Sequence, residues 1–162
     1  MAEFRVPESE ILARKEKIQQ EMQKREIGGI LVNQRVDLFY FTGTAQNGYL
    51  YIPATGEPLL FIKKYLPRAI KESPLKQILG IDSVKEVPGL IADYYGRLPG
   101  VMGLELDVLP VKQFHFYQSL FAVREFVDAS HSILKTRMIK SVWEIEQMEK
   151  TAALSRDTFA YA

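Results

Sequence analysis

From Glu8 to Arg25 the apolar residues Ile11, Leu12, Ile18 and Met22 stand among charged and amide side chains, with Ile27 just beyond. Steps of seven and four hold Ile11, Ile18 and Met22 on one stripe, which predicts an amphipathic helix. Pro7 precedes it, Glu8 and Glu10 suit the positive end of its dipole, and Gly28-Gly29 is expected to stop it in the left-handed conformation. Ile30-Leu31-Val32 then reads as a strand buried on both faces. The stretch Val36 to Gly43 crowds Leu38, Phe39, Tyr40 and Phe41 together. Tyr49–Ile52 and Leu59–Ile62 flank a Pro53–Pro58 segment containing Gly56, the pattern of an antiparallel hairpin. Further along, helices are expected at Leu66–Ser73, Gly89–Tyr95, Val111–Phe121 and Ser130–Met138. Strands are expected at Val101–Leu104 and Glu125–Asp128. A short strand is placed at Ser83–Val87, with Ile78–Ile81 competing for that role. Helix and strand alternate around one hairpin, so the fold class is α/β: a mixed sheet covered by helices on both faces. No internal repeat or low-complexity linker interrupts it.

The last element begins at Ser141-Val142-Trp143-Glu144, the pattern of a capping box. Ile145, Met148, Ala152 and Phe159 continue at helical steps toward Ala162, and no Gly, Asn or Pro ends the run. The unfinished apolar stripe points to a helix that leads into a longer parent chain. The alternative is a C-terminal helix packed on the domain core.

The 162 residues are 47% hydrophobic and 25% charged, the balance of one globular domain large enough to fold without staples. Lys and Arg total 21 against 20 Asp and Glu, for a net charge of +1. That argues against a polybasic nucleic-acid binder, though a local patch stays open. Cysteine is absent, which excludes disulfides, thiolate zinc sites, iron–sulfur clusters and a cysteine nucleophile. The apolar runs fall far below the roughly 18–20 residues that span a bilayer, so no membrane partner is expected. Met1 to Arg5 shows no basic and then apolar leader, and a cytoplasmic location is the expectation.

Candidate chemistry is sparse. His115 lies in an aromatic run, and His131 follows Ser130 near a helix start, where capping is the simpler role. HExxH, GxxxxGK[ST] and GxSxG are all missing. Gly100-Val101-Met102-Gly103 lacks the third glycine of a dinucleotide fingerprint. Glu105 and Asp107 would share one face of an extended chain and could hold a hard cation, against the simpler reading of an exposed acidic turn. Lys63, Lys64, Arg68 and Lys71 form a modest basic edge, most simply a solvated face. The small, polar Thr42–Gly48 segment suits either a flexible loop that approaches another surface or a plain connection.

Three segments together resemble one family. Phe39-Tyr40-Phe41-Thr42-Gly43 after the first strand is similar to the "YLTG" segment of creatinase/prolidase N-terminal domains, and Gly103-Leu104-Glu105 resembles their "iGvE" strand. Arg137-Met138-Ile139-Lys140-Ser141-Val142-Trp143-Glu144-Ile145 resembles the "R-x-x-K-S-x-x-E-I" that joins this domain to a metallopeptidase domain. The resemblance implies a three-layer α/β/α domain with a six-stranded mixed sheet of ribonuclease-H-like type over residues 1–140. Residues 141–162 would then start the linker helix to a C-terminal catalytic domain. It implies a parent related to Xaa-Pro dipeptidases and aminopeptidases of the M24 peptidases, acting on proline-containing peptides. Two divalent ions (manganese, cobalt or zinc) are expected in the catalytic domain, and no catalytic or metal residue in this chain. The domain is expected to support a homodimer and to line the rim of the active site, with Tyr40, Phe41, Thr42 and Gly43 as substrate-side or dimer-side contacts. Arg137, Lys140, Ser141 and Glu144 are expected to join the domains. The alternatives are an interaction domain of a catalytically inactive relative and the N-terminal domain of a creatinase-type hydrolase.

Overall fold

The computed structural model describes residues 5–160, with side chains as far as Thr158; Phe159 of the predicted stripe and the run to Ala162 lie outside that description. Helix α1 (Glu8–Lys24) buries Ile11, Ile18 and Met22 as the periodicity predicts. The glycines do not end it. Glu26 takes the left-handed conformation (φ 55°), and the amide of Ile27 donates back to the Met22 carbonyl at 3.0 Å. Gly28 and Gly29 serve close approach instead. A Cβ on Gly29 would stand 2.4 Å from the Tyr51 hydroxyl oxygen, and one on Gly28 would stand 2.9 Å from Pro99 Cβ.

Six strands form one sheet: β1 (Gly29–Val32), β2 (Gly48–Pro53), β3 (Leu59–Ile62), β4 (Ile78–Gly80), β5 (Val101–Leu104) and β6 (Glu125–Asp128), in the order β4-β3-β2-β1-β5-β6. The predicted hairpin is β2–β3, antiparallel with Leu50 opposite Leu60. β1 pairs antiparallel with β2 and parallel with β5, so the sheet is mixed. Alternation along each strand divides the core. Ile30, Val32, Leu50, Ile52, Leu60 and Ile62 face a layer that contains Ile18 and Met22 of α1, Leu38 of α2 (Arg35–Thr42), Ala69 of α3 (Leu66–Glu72) and Ile133 of α6 (Ser130–Met138). Leu31, Tyr49, Tyr51, Leu59 and Phe61 face the opposite layer, with Val87 and Ile91 of α4 (Val87–Tyr95) and Tyr117 of α5 (Val111–Leu120). The expected α/β class with helices on both faces is what the chain adopts. α7 (Val142–Ala160) follows α6 after three residues.

Two segments differ from expectation or extend it. Ser83–Val87 is not a strand, because Ser83 and Glu86 form a capping box. Glu86 Oε1 accepts from the Ser83 amide at 2.7 Å, and the turn Val84–Glu86 feeds straight into α4. Local capping chemistry outweighs the β-branched composition there, and the competing Ile78 segment supplies β4. The aromatic stretch after β1 is helix α2. Gln34 Oε1 accepts from the amides of Val36 (2.6 Å) and Asp37 (3.0 Å) at its start, and Gly43 closes it at φ 74°.

Gly48 begins β2 where a Cβ would lie 2.0 Å from the Phe61 carbonyl oxygen, a backbone atom with no room to retreat. Gly48→Ala is therefore expected to destabilise the chain by about 3 kcal/mol, read as a lower urea midpoint at unchanged slope.

Candidate functional site

The two groups of residues singled out by sequence, 100 positions apart in the chain, meet around one buried arginine. Arg14 occupies the buried stripe of α1 between Ile11 and Ile18 and is 4% exposed. Its Nη1 donates to the Tyr40 carbonyl at 2.8 Å, its Nη2 donates to Glu144 Oε1 at 3.1 Å, and Glu10 lies 3.6 Å from Nη2. Its guanidinium stands 4.2 Å from the centre of the Tyr40 ring. A buried guanidinium requires nearby acceptors, and α1, α2 and α7 each provide one to its Nη atoms, while Nε is buried without a partner.

The predicted capping box of α7 forms. The Ser141 amide donates to Glu144 Oε2 at 2.8 Å, and the Glu144 amide donates to Ser141 Oγ at 3.1 Å. Both residues also reach α1, Ser141 Oγ by donating to Glu10 Oε2 at 2.8 Å and Glu144 through Arg14. One cap thus satisfies the helix start and attaches it to the domain. Arg137 Nη1 donates to Asp37 Oδ1 at 2.7 Å, tying the end of α6 to α2. Lys140 is exposed, and its ammonium donates to the carbonyl of Arg137.

Tyr40 lies at the centre of these contacts, with its hydroxyl donating to the Thr136 carbonyl at 3.3 Å. Burial, reinforced by the charge of Glu144, pushes its hydroxyl up to about 12, so it stays neutral at any physiological pH. Phe41 packs edge-on against Tyr40 at 5.0 Å and is buried. Thr42 is fully buried. Its hydroxyl donates to the Leu38 carbonyl at 2.7 Å and accepts from the Thr44 amide at 3.2 Å. Gly43 donates its amide to the Phe39 carbonyl at 2.8 Å. Within this chain, then, Phe41, Thr42 and Gly43 shape α2 from inside, while Tyr40 forms part of a groove.

That groove, about 320 Å³, runs between α2 and α7 and is lined by Val36, Phe39, Tyr40, Arg137, Trp143 and Met148 among others. The loop after α2 is tied down rather than free. Thr44 Oγ1 donates to Glu72 Oε2 on α3 at 2.6 Å, and Gln46 reaches the same oxygen at 3.5 Å. These bonds, with those from Arg68, hold the Glu72 carboxyl below its ordinary range against the opposing effect of burial. Of the two readings of this segment, the anchoring favours a plain connection.

Glu105 was the least legible residue. The reading of an exposed acidic turn, or of two carboxylates sharing a face, does not hold. After β5 the chain turns, so Glu105 points inward at 3% exposure while Asp107 stays at the surface, its amide donating to Ser130 Oγ at 3.2 Å. His115 and His131 are exposed on separate helices, and His115 pairs with Gln118 at 3.0 Å. At the helix start just before His131, Asp128 Oδ1 accepts from the Ser130 amide at 2.9 Å. Lys63 and Lys64 are solvated, and Arg68 pairs with Glu72 at 2.6 Å. Among the described residues no group of three His, Asp or Glu side chains is arranged to hold a metal ion. No described helix is long and apolar enough to cross a membrane. Arg14 and Asp37 escaped sequence reasoning, although a charged residue three after Ile11 and four before Ile18 is itself a signal of a buried ion pair.

Arg14→Met would leave the Tyr40 carbonyl and Glu144 without their donor. A loss of about 3 kcal/mol is expected, together with a red shift in the emission of Trp143, the sole tryptophan, as α7 loosens. Far-UV circular dichroism should change little.

The comparisons with known proteins agree with this architecture. The family model described as creatinase/prolidase N-terminal domain matches residues 14–139. A relative named as an uncharacterized hydrolase/peptidase of Sinorhizobium fredii is 28% identical over 168 residues, covering 92% of this chain and 43% of that protein. Among solved structures, a Xaa-Pro dipeptidase from Bacillus anthracis superposes with a TM-score of 0.82 at 20% identity, over 93% of this chain and 42% of that one. The N-terminal domain of the cytoplasmic peptidase PepQ from Mycobacterium tuberculosis superposes with a TM-score of 0.67 at 19% identity, over 76% of this chain and 98% of that one. This chain thus spans less than half of the curated relative and of the full dipeptidase, and nearly all of the isolated domain. The matched model covers well over half of the chain, which therefore belongs to the creatinase/prolidase N-terminal domain family.

Proposed function

We propose that this chain is the non-catalytic N-terminal domain of a proline-specific peptidase, with residues 1–140 as the domain and 141–162 as the start of its connecting helix. The observation that carries the reading is the free face of α7. Ile145 and Met148, three residues apart on one side of the helix, are 47% and 58% exposed, and Met148 also lines the groove beside Phe39 and Trp143. An apolar strip of this kind on a well-capped helix is the mark of a surface made to be covered. The name of the relative, a hydrolase/peptidase more than twice as long as the matched region, supports a catalytic domain as what covers it.

In this reading Arg137, Lys140, Ser141 and Glu144 join the domains by fixing where α7 leaves the sheet domain. Tyr40 sits at the rim, with Phe41, Thr42 and Gly43 holding α2 in place behind it. Two divalent ions, manganese, cobalt or zinc, would belong to the catalytic domain and would generate the attacking hydroxide there. The described residues of this chain do not fit such a centre, since no three of its potential ligands converge. A homodimer and a cytoplasmic location complete the proposal, the latter supported by the description of PepQ as a cytoplasmic peptidase.

The test is an assay of this chain on Xaa-Pro dipeptides with added manganese, beside the longer protein that carries it. The longer protein is expected to turn over substrate and this chain to show none. Measurable turnover by this chain alone would overturn the reading. An inactive longer protein lacking the metal ligands would favour the interaction domain of an inactive relative.

A further inference from the structure

Glu105 is the buried ionisable group that the joining role leaves unexplained. Its Oε2 accepts from the backbone amides of Asn33 at 2.8 Å and Gln34 at 3.0 Å. Its Oε1 is buried with no donor. The neighbouring acidic side chain is Asp37 of α2, itself buried, and its charge acts on Glu105. Asp37 Oδ1 is already the acceptor for Arg137. Ionised carboxylates only accept, so two of them in contact leave an unsatisfied oxygen and a mutual repulsion. A single proton cures both, because a protonated carboxyl donates to its neighbour.

We propose that Glu105 and Asp37 share one proton, and that this proton sets how tightly Arg137, at the end of α6 where the connecting segment begins, is held. With the proton in place, the pair carries one negative charge and Arg137 balances it. Without it, two carboxylates face one guanidinium, and the attraction on Arg137 rises.

The phenols that adjoin the pair among the described residues carry no competing charge. From α5, the Tyr117 hydroxyl accepts from Asn33 Nδ2 at 3.2 Å and from Gln113 Nε2 at 2.6 Å. Tyr49 of β2 contacts the Tyr117 hydroxyl, and burial holds both phenols above their ordinary range and neutral. Asp107, on the same turn as Glu105, is directed to the surface. Burial first, and the charge of Asp37 second, raise Glu105 to about 7 against the lowering effect of the two amides. The pair is complete within this chain, so the inference does not depend on the peptidase reading.

The sign of the pH dependence follows from linkage. A carboxyl that titrates near 7 when folded and near its model value of 4.5 when unfolded binds more protons in the folded state between those values. Stability therefore falls as pH rises through that window and is fully reduced above it. Glu105→Gln replaces the shared proton by a permanent N–H while its carbonyl keeps the two backbone amides.

The experiment is a carbon-13 carboxyl NMR titration of this chain, with thermal melts at about pH 5 and about pH 8. Glu105 is expected to titrate at least about one pH unit above the exposed glutamates. In Arg137→Gln its midpoint should move further up, because the cation that favours ionisation is gone. Glu105→Gln should match the unmodified chain at the lower pH and melt about 5 °C above it at the higher. If Glu105→Gln does not fold, the titrations of the unmodified chain and of Arg137→Gln decide. A Glu105 midpoint in the ordinary carboxylate range, or parallel melts, would overturn the shared proton. A midpoint unmoved by Arg137→Gln would overturn the link to Arg137.

Discussion

A guanidinium withdrawn from water constrains this structure more than any other single group. Arg14 sits on the stripe of α1 that packs against the sheet, where its charge is tolerable only with acceptors close by. The Tyr40 carbonyl, Glu144 and Glu10 supply them, so the positions of α2 and of the first turn of α7 are set by the needs of one side chain on α1. Hydrophobic packing builds the two core layers, but it does not say where the last helix leaves the domain. Directional bonds to a buried charge do.

A second ionic cluster adjoins Tyr40. Arg137 approaches the same ring at 5.9 Å while bonding Asp37, and Asp37 adjoins Glu105 at the end of β5. Tyr40 is neutral and well buried, a spacer that both arginines contact through its face or edge. The connecting segment is thus held twice, by Glu144 and Ser141 at the start of α7 and by Arg137 at the end of α6. The function proposed above follows from this economy. In that proposal, what the domain offers another protein surface is a helix exit of defined direction with an apolar strip at its start.

Much of this was legible before any coordinates. The stripe of α1, the β2–β3 hairpin, the alternation that gives a mixed sheet, and the cap at Ser141 all rest on interactions within a few residues or on a simple period. The same S-x-x-E signature stands at Ser83-Val84-Lys85-Glu86, where the β-branched valines mask it and favour a strand on composition. The stop of α1 shows a different limit. Glycines mark where a left-handed residue is easiest, yet Glu26 takes that conformation because Gly28 and Gly29 are needed against Pro99 and Tyr51.

The sequence alone determined the α/β class, most of the strands and helices with α2 and the Ser83 turn as the exceptions, the kinship carried by Phe39–Gly43, Gly103–Glu105 and Arg137–Ile145, and the scarcity of recognisable catalytic motifs. Those properties depend on local periodicity, capping and residue chemistry. Tertiary structure alone decided that Arg14 meets Glu144 across 130 positions, that Phe41 and Thr42 turn inward, and that Glu105 is buried beside Asp37. A charge at a strand end can face either solvent or the interior. Only the packing of α2 against the ends of β1 and β5 removes the water that would otherwise leave such a carboxylate ionised and alone.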